Sequence, residues 1–190
     1  WGDGYVSSKA TQEADAGTPR IRRIHISNIS VRGAKLAAAF VYGLPEMPIE
    51  DLSIADMQVE LASDAEPGFA EMADEIDEMV RHGFFVRNAR RVRLRNVQIT
   101  GQAGAAFDLG EVRHLEIDAS GTSTPDADHA ILHMADVADA FVHGCALPNE
   151  ASTFLLVEGS GSNRIRLSGN NLGSAATPIR KGAEVNADAI

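Results

Sequence analysis

The sequence predicts an all-β fold: a right-handed parallel β-helix of about six coils, with one short inserted α-helix. Two observations predict it. One apolar spacing recurs along most of the 190-residue chain, and Asn, Asp or Gly falls at the same point of nearly every repeat. Short repeats that bury a common core only when stacked are typical of solenoid proteins.

Each repeat, or coil, carries inward residues at offsets 0, 2, 5 and 7 from its start. Offsets 0 and 2 fit one short strand and offsets 5 and 7 a second, because side chains alternate along a strand. The step of three between them requires a bend, and a helix would need the spacing i, i+3, i+4, i+7 instead. The starts at residues 24, 52, 92, 115, 140 and 165 give periods of 28, 40, 23, 25 and 25 residues.

Five coils match this spacing well, and the fourth coil matches it at two of the four offsets. The well-matched sets are Ile24, Ile26, Ile29, Val31; Leu52, Ile54, Met57, Val59; Val92, Leu94, Val97, Ile99; Ala140, Val142, Cys145, Leu147; and Ile165, Leu167, Asn170, Leu172. The fourth coil keeps Leu115 and Ile117 but has Ser120 and Thr122 at offsets 5 and 7. Cys145 is therefore expected to be a small buried residue and not a nucleophile.

Offset 4 lies at the bend and reads Asn28, Asp56, Asn96, Ala119, Gly144 and Gly169. Asn, Asp and Gly tolerate left-handed backbone angles and bond to nearby backbone groups. Two interpretations stay open for the first three coils, a stacked ladder of side chains or a set of independent turn residues.

Each coil also has a candidate for a further inward strand. The candidates span residues 38–41, 84–86, 106–109, 131–134, 154–157 and 178–179. We expect a single domain over residues 1–190, in which residues 1–17 are an N-terminal arm or the remnant of a preceding coil. Residues 68–83 place apolar side chains near helical spacing with acidic ones opposite, which predicts the inserted amphipathic helix. Its acidic face is interpreted as a solvated surface, and no metal site is predicted.

Composition narrows the possible partners. The net charge of −10 argues against nucleic acid, and against a polyanionic substrate unless basic residues concentrate locally. No run approaches the roughly 20 apolar residues that cross a bilayer, so no membrane contact is predicted. The single cysteine excludes an intrachain disulfide, and nothing indicates a cofactor.

Several segments resemble the later coils of the polygalacturonase-like proteins, family 28 of the glycoside hydrolases: residues 18–33 (TPRIRRIHISNISVRG), 43–49 (GLPEMPI), 167–172 (LSGNNL) and 178–179. The resemblance covers roughly residues 18–180. It implies a right-handed parallel β-helix, hydrolysis of galacturonan-type pectic chains by an inverting two-carboxylate mechanism, and a secreted or periplasmic parent protein.

The catalytic signatures of that family do not occur in the sequence. They are Asn-Thr-Asp, an Asp-Asp pair, Gly-His-Gly and Arg-Ile-Lys, and both His-Gly pairs here lack the preceding Gly. No catalytic residue is therefore carried over from the family, and the chain resembles the family's C-terminal half. Whether it is an enzyme stays open.

Five polar residues of coils three to five are predicted to share one outward face, at offsets 1 and 3. Arg93 and Arg95 are candidates for binding a carboxylated sugar, Glu116 and Asp118 for proton transfer, and His143 for tuning them. Coils stack about 4.8 Å apart, which is compatible with the carboxyl separation of about 6.5–9.5 Å in inverting glycosidases. The alternative is a ladder of surface charges, each pair contributing up to about 1 kcal/mol.

Two functions follow as hypotheses. The first is a carbohydrate-active β-helix that acts on or binds pectic or other acidic polysaccharide. The second is a non-catalytic structural or oligosaccharide-binding module. A stack of coils has apolar ends with unpaired strand edges, so self-association as a dimer or trimer is also predicted.

Overall fold

The computed structural model describes residues 10–70, 76–148, 151, 153–173, 175 and 177–190. Within these residues the chain forms eleven β-strands and one turn of 3₁₀ helix. The elements are β1 (Arg22–Ala34), β2 (Ala37–Tyr42), β3 (Ile49–Leu61), β4 (His82–Thr100), β5 (Phe107–Asp118), β6 (Gly121–Thr122), β7 (Leu132–Ala135), β8 (Ala138–His143), β9 (Leu155–Glu158), β10 (Asn163–Ser168), β11 (Ile179–Lys181) and the 3₁₀ turn Ala187–Ala189.

The described strands pair in parallel and stack as the coils of a β-helix, which confirms the predicted fold. Two broad faces result. The first face stacks β1, β3, the second half of β4, the end of β5, β8 and β10. The second face stacks β2, the first part of β4, the start of β5, β7, β9 and β11. β4 and β5 belong to both faces because they continue around a corner of the coil.

The register confirms the predicted coil starts. Successive partners on the first face are Ile24, Leu52, Val92, Leu115, Ala140 and Ile165. The further inward strands are confirmed as well, since β2, β4, β5, β7, β9 and β11 overlap the six candidate segments. Phe84, Phe107 and Phe154 are fully buried and fill the core behind the second face.

All six residues at offset 4 adopt the left-handed conformation, with φ between 47° and 64°. The ladder of side chains exists at one step, where Nδ2 of Asn96 donates to Oδ1 of Asp56 at 2.9 Å. Asn28 bonds to Ser27 instead, at 3.3 Å. The bend is thus conserved in backbone geometry from coil to coil, while its side-chain bonding is mostly local.

A second row of left-handed residues lies one position before each coil start, and the sequence did not indicate it. It consists of Arg23, Asp51, Arg91, His114, Asp139 and Arg164, with φ between 51° and 58°. A left-handed conformation costs a residue other than glycine roughly 1–2 kcal/mol. Charged partners on adjacent coils offset part of this cost, since Arg91 contacts Asp51 and Arg164 contacts Asp139.

The prediction of a helix over residues 68–83 is wrong for the parts that the structure describes. Gly68 and Met79 form an antiparallel bridge with backbone bonds of 3.1 and 2.8 Å, which holds the two ends of the insertion side by side. Residues 76–78 have no regular structure, and His82 already begins β4. Met79 is 4% exposed, so its apolar side chain is buried where the loop packs against the stacked coils. Residues 71–75 lie outside the described residues.

Two other expectations concern the ends and the composition of the chain. Residues 10–21 contain no strand and are mostly exposed, while the first nine residues of the predicted arm lie outside the described residues. In the part of the chain that is described, no helix has the length and apolar character needed to cross a bilayer.

Candidate functional site

The first face carries a concentration of arginines. At offsets −2, −1, 1 and 3 the six stacked coils place nine arginines and five carboxylates. The arginines are exposed, whereas the carboxylates are half-buried between them. We call the nine arginines the arginine belt: Arg22, Arg23, Arg90, Arg91, Arg93, Arg95, Arg113, Arg164 and Arg166. A chain of net charge −10 therefore presents a locally cationic surface.

The structure brings the five predicted site residues together on this face. Arg93 pairs in register with Glu116, and Arg95 with Asp118. Nε of Arg93 lies 3.5 Å from Glu116, whereas Arg95 turns to Asp56, also at 3.5 Å. The side chains of Arg93 and Arg95 are 76% and 63% exposed, so both can reach a ligand.

His143 lies between the two candidate proton-transfer groups. Its Nε2 is 3.3 Å from Oε1 of Glu116, and its Nδ1 is 3.2 Å from Oδ1 of Asp118. The ring of Phe141 stacks on the imidazole with 4.5 Å between centroids and fixes its orientation. The imidazole fills the space where a water or a glycosidic oxygen would have to sit. In this arrangement the two carboxylates contact a shared partner and do not form an open acid–base pair.

A cleft of about 450 Å³ follows the corner of the first face, beside the second row of left-handed residues. Arg23, His25 and Arg93 contribute to its lining. Arg91 also lines it and donates to Glu50 at 3.0 Å, and its hydrogen bond with Asp51 raises its pKa above the ordinary arginine value. The cleft therefore places arginine side chains of the first and third coils along the axis of the helix.

The second face carries a polar cluster that the sequence reading missed. Arg87 donates two hydrogen bonds to Asp108, both at 3.0 Å. His133 lies between Asp108 and Glu158, with Nδ1 3.0 Å from the first and Nε2 2.8 Å from the second. A Cβ at Gly110 would stand 2.7 Å from Arg87, so the glycine leaves room for that side chain.

The charges of this cluster support one another. Hydrogen bonding to Asp108 raises the pKa of His133 against the opposing effect of burial, and Glu158 adds to the rise. Burial disfavours the ionised form of Asp108, yet its contacts with His133 and Arg87 together hold its pKa below the ordinary value. Two acceptor carboxylates on one imidazole require both ring nitrogens to carry a proton. The cluster is thus a network that favours the protonated form of His133.

Three aromatic rings lie next to this network and line a second cleft of about 580 Å³. The rings of Phe40, Tyr42 and Phe85 are nearly parallel, with centroids 5.4–6.4 Å apart and planes within 12° of one another. The guanidinium of Arg87 lies 4.1 Å from the centroid of Phe85. We call this space the aromatic cleft; Pro45 and residues 76–79 also line it.

Neither feature of the second face was predicted, because the repeat describes only the inward positions of those strands. Their outward row, two residues apart on each strand, would have shown Phe40, Phe85, Asp108 and His133 at stacked positions. In the described part of the chain, no three His, Cys, Asp or Glu side chains converge in a way that could hold a metal ion.

Comparisons with known proteins add no assignment. No protein-family model matches the chain, and neither the curated proteins nor the solved structures include a match.

Proposed function

We propose that this protein is a carbohydrate-binding β-helix that holds an acidic polysaccharide along its first face. The observation that carries the proposal is the arginine belt, a set of exposed cations on a chain whose net charge is −10. Electrostatic attraction of a polyanion needs such local concentration, and the charge of the whole molecule is secondary at distances beyond about 10 Å.

The spacing of the belt suits a polysaccharide better than a nucleic acid. Coils repeat about every 4.8 Å, which is comparable to the length of one sugar unit, and a polyuronate carries one carboxylate per unit. Double-stranded DNA carries one charge per about 1.7 Å. The half-buried carboxylates between the arginines would repel so dense a row of phosphates. Phe141, the aromatic ring on this face, is stacked on His143 and approached by Arg166, so it is not free for base stacking.

Hydrolysis is the second candidate, and a relationship to the polygalacturonase-like family is part of it. Glu116 and Asp118 lie two residues apart on one strand, a separation of about 6.6 Å at the usual rise. This falls at the lower limit of the range in inverting glycosidases, about 6.5–9.5 Å. The position of His143 between the two carboxylates favours binding over hydrolysis.

Titration with polygalacturonate by calorimetry tests the proposal. We expect binding that weakens as salt is added, and about tenfold weaker binding by the Arg93→Ala, Arg95→Ala double variant. Arg180→Ala is the matched control, because Arg180 is an exposed arginine on the second face. Equal affinity of the double variant and the wild type, or equal affinity for DNA, would contradict the proposal.

An assay of reducing ends on the same polymer separates binding from hydrolysis. The binding function predicts that no new reducing ends form. Their release, abolished by Glu116→Gln or Asp118→Asn, would establish the enzyme instead. Release that survives both substitutions would exclude these two residues as the catalytic pair.

We also propose that the chain self-associates through the end of the stack formed by β1. Among the described strands, β1 has a partner on one side only. Ile26 and Ile29 are 38% and 37% exposed there, whereas Ile54 and Met57 at the same offsets are 3% and 8% exposed. Sedimentation should show a dimer or trimer that Ile29→Lys converts to a monomer. A monomeric wild type would refute this proposal without affecting the first.

A further inference from the structure

The aromatic cleft has a charge opposite to that of the arginine belt. Among the described residues, three carboxyl groups line it beside the ion pair of Asp108 with Arg87: those of Asp77, Glu78 and Glu111. Burial lowers the pKa of His82, which also lines the cleft, so that His82 is uncharged at neutral pH. The interior of the cleft therefore favours cations over anions.

The aromatic floor narrows the kind of cation. Phe40, Tyr42 and Phe85 are half-buried and nearly parallel, and they contribute apolar surface to the cleft. Aromatic faces attract cations within about 6 Å of the ring centroid, and a weakly hydrated cation gains most because it loses little solvation on entering. A methylated ammonium group meets both conditions, with its charge spread over an apolar surface.

The protein itself shows that a cation is accommodated at this place. The guanidinium of Arg87 lies over Phe85 at 4.1 Å and is held by both oxygens of Asp108. This is the combination of ring face and carboxylate that an ammonium ligand requires. The rings of Phe40 and Tyr42 continue the same stack of rings, and Pro45 and residues 76–79 also line the cleft.

We propose that the aromatic cleft is a binding site for a small organic cation with a quaternary or methylated ammonium group, held by Phe40, Tyr42 and Phe85 and by the carboxylates of the rim. The site is on the second face, whereas the arginine belt is on the first, and it does not depend on the polysaccharide. The protein then carries two ligand sites of opposite charge preference, one on each broad face of the helix.

Calorimetric titration with choline and with its uncharged carbon isostere, 3,3-dimethylbutan-1-ol, tests the site at constant ionic strength. The two probes have nearly the same shape and differ in charge. We expect choline to bind at least about tenfold more tightly than the isostere. Phe40→Leu and Glu111→Gln should each weaken choline binding by about fivefold to tenfold. Arg93→Ala, on the first face, should leave it unchanged.

Three results would overturn the proposal. Equal binding of the two probes would show that the cleft selects apolar shape and not charge. Absence of choline binding by the folded wild type would exclude the ligand class. Choline binding that neither Phe40→Leu nor Glu111→Gln weakens would place the cation elsewhere. Far-UV circular dichroism confirms that each variant is folded, and Glu111→Gln, an exposed isosteric change, remains informative if Phe40→Leu does not fold.

Discussion

Ser120 supports the coil that departs most from the apolar repeat. It occupies an inward position of the fourth coil and is 2% exposed. Its hydroxyl accepts a hydrogen bond from the backbone N–H of Val97 at 3.0 Å and donates to the carbonyl of Asp118 at 2.8 Å. Val97 is itself fully buried, so its N–H has no access to solvent. One hydroxyl thus replaces the backbone pairing that β4 lacks at the gap between β5 and β6.

The substitution Ser120→Ala should therefore be costly for so small a change. It removes one side-chain hydrogen bond and leaves a buried donor without an acceptor, which together cost about 1–3 kcal/mol. For a chain of this size, each kcal/mol lowers the melting temperature by about 2–4 °C. We expect a decrease of roughly 5 °C and faster hydrogen exchange at the amide of Val97.

Denaturant unfolding and hydrogen exchange measured on β4 provide the assay. Ser162→Ala should behave in the same way, since the fully buried Ser162 accepts from Val137 at 3.1 Å and donates to Glu158 at 2.6 Å. Ser30→Ala, an exposed change on β1, should stay within about 0.5 kcal/mol of the wild type. If Ser120→Ala also stays within that range and exchange at Val97 is unaltered, the assigned role of the hydroxyl is wrong.

Three other predictions concern single side chains. Because Asp108 raises the pKa of His133, the stabilisation from this pair is complete below about pH 6.5 and is lost as the pH rises through the raised value. Unfolding free energies from pH 5 to 9 should show a decline that His133→Gln removes, and an equal decline in both proteins would contradict the pairing. Cys145 is 2% exposed and burial raises the pKa of its thiol, so maleimide should label it slowly until urea unfolds the protein, and rapid labelling of the native state would refute its burial. Asn96→Ala should lower the free energy of denaturant unfolding by about 1–2 kcal/mol, because alanine tolerates the left-handed conformation less well and cannot bond to Asp56. Asn96→Gly should cost less, because glycine adopts that conformation without strain.

Much of the fold could be predicted because the inward residues of each coil recur with one spacing. An apolar residue at offsets 0 and 2 has one role wherever it occurs, so the register of coils such as those starting at Leu52 and Val92 could be read directly. The bend could be read as well, since Asn and Gly are residues that favour left-handed angles. At these positions tertiary packing leaves the locally preferred backbone conformation unchanged.

The features that could not be predicted from the sequence depend on contacts between coils. Arg91 and Arg164 are left-handed although arginine does not favour that conformation, and carboxylate partners on adjacent coils are what hold them. The insertion had a helical period, but the pairing of Gly68 with Met79 prevailed at its ends. Glu116 and Asp118 do lie close together on one face, yet only the structure shows that the imidazole of His143 contacts both carboxylates.

Each coil has two left-handed corners, at offsets −1 and 4, and this makes the coil a unit that can be duplicated. Each coil bonds only to its two neighbours, and both corners recur at the same offsets whether the period is 23 or 28 residues. A duplicated coil could therefore enter the stack without altering the bonding of the others. Each copy would lengthen the first face by one step and add its own charges there. In such an architecture the length of the charged face can change in evolution by whole coils while the core stays the same.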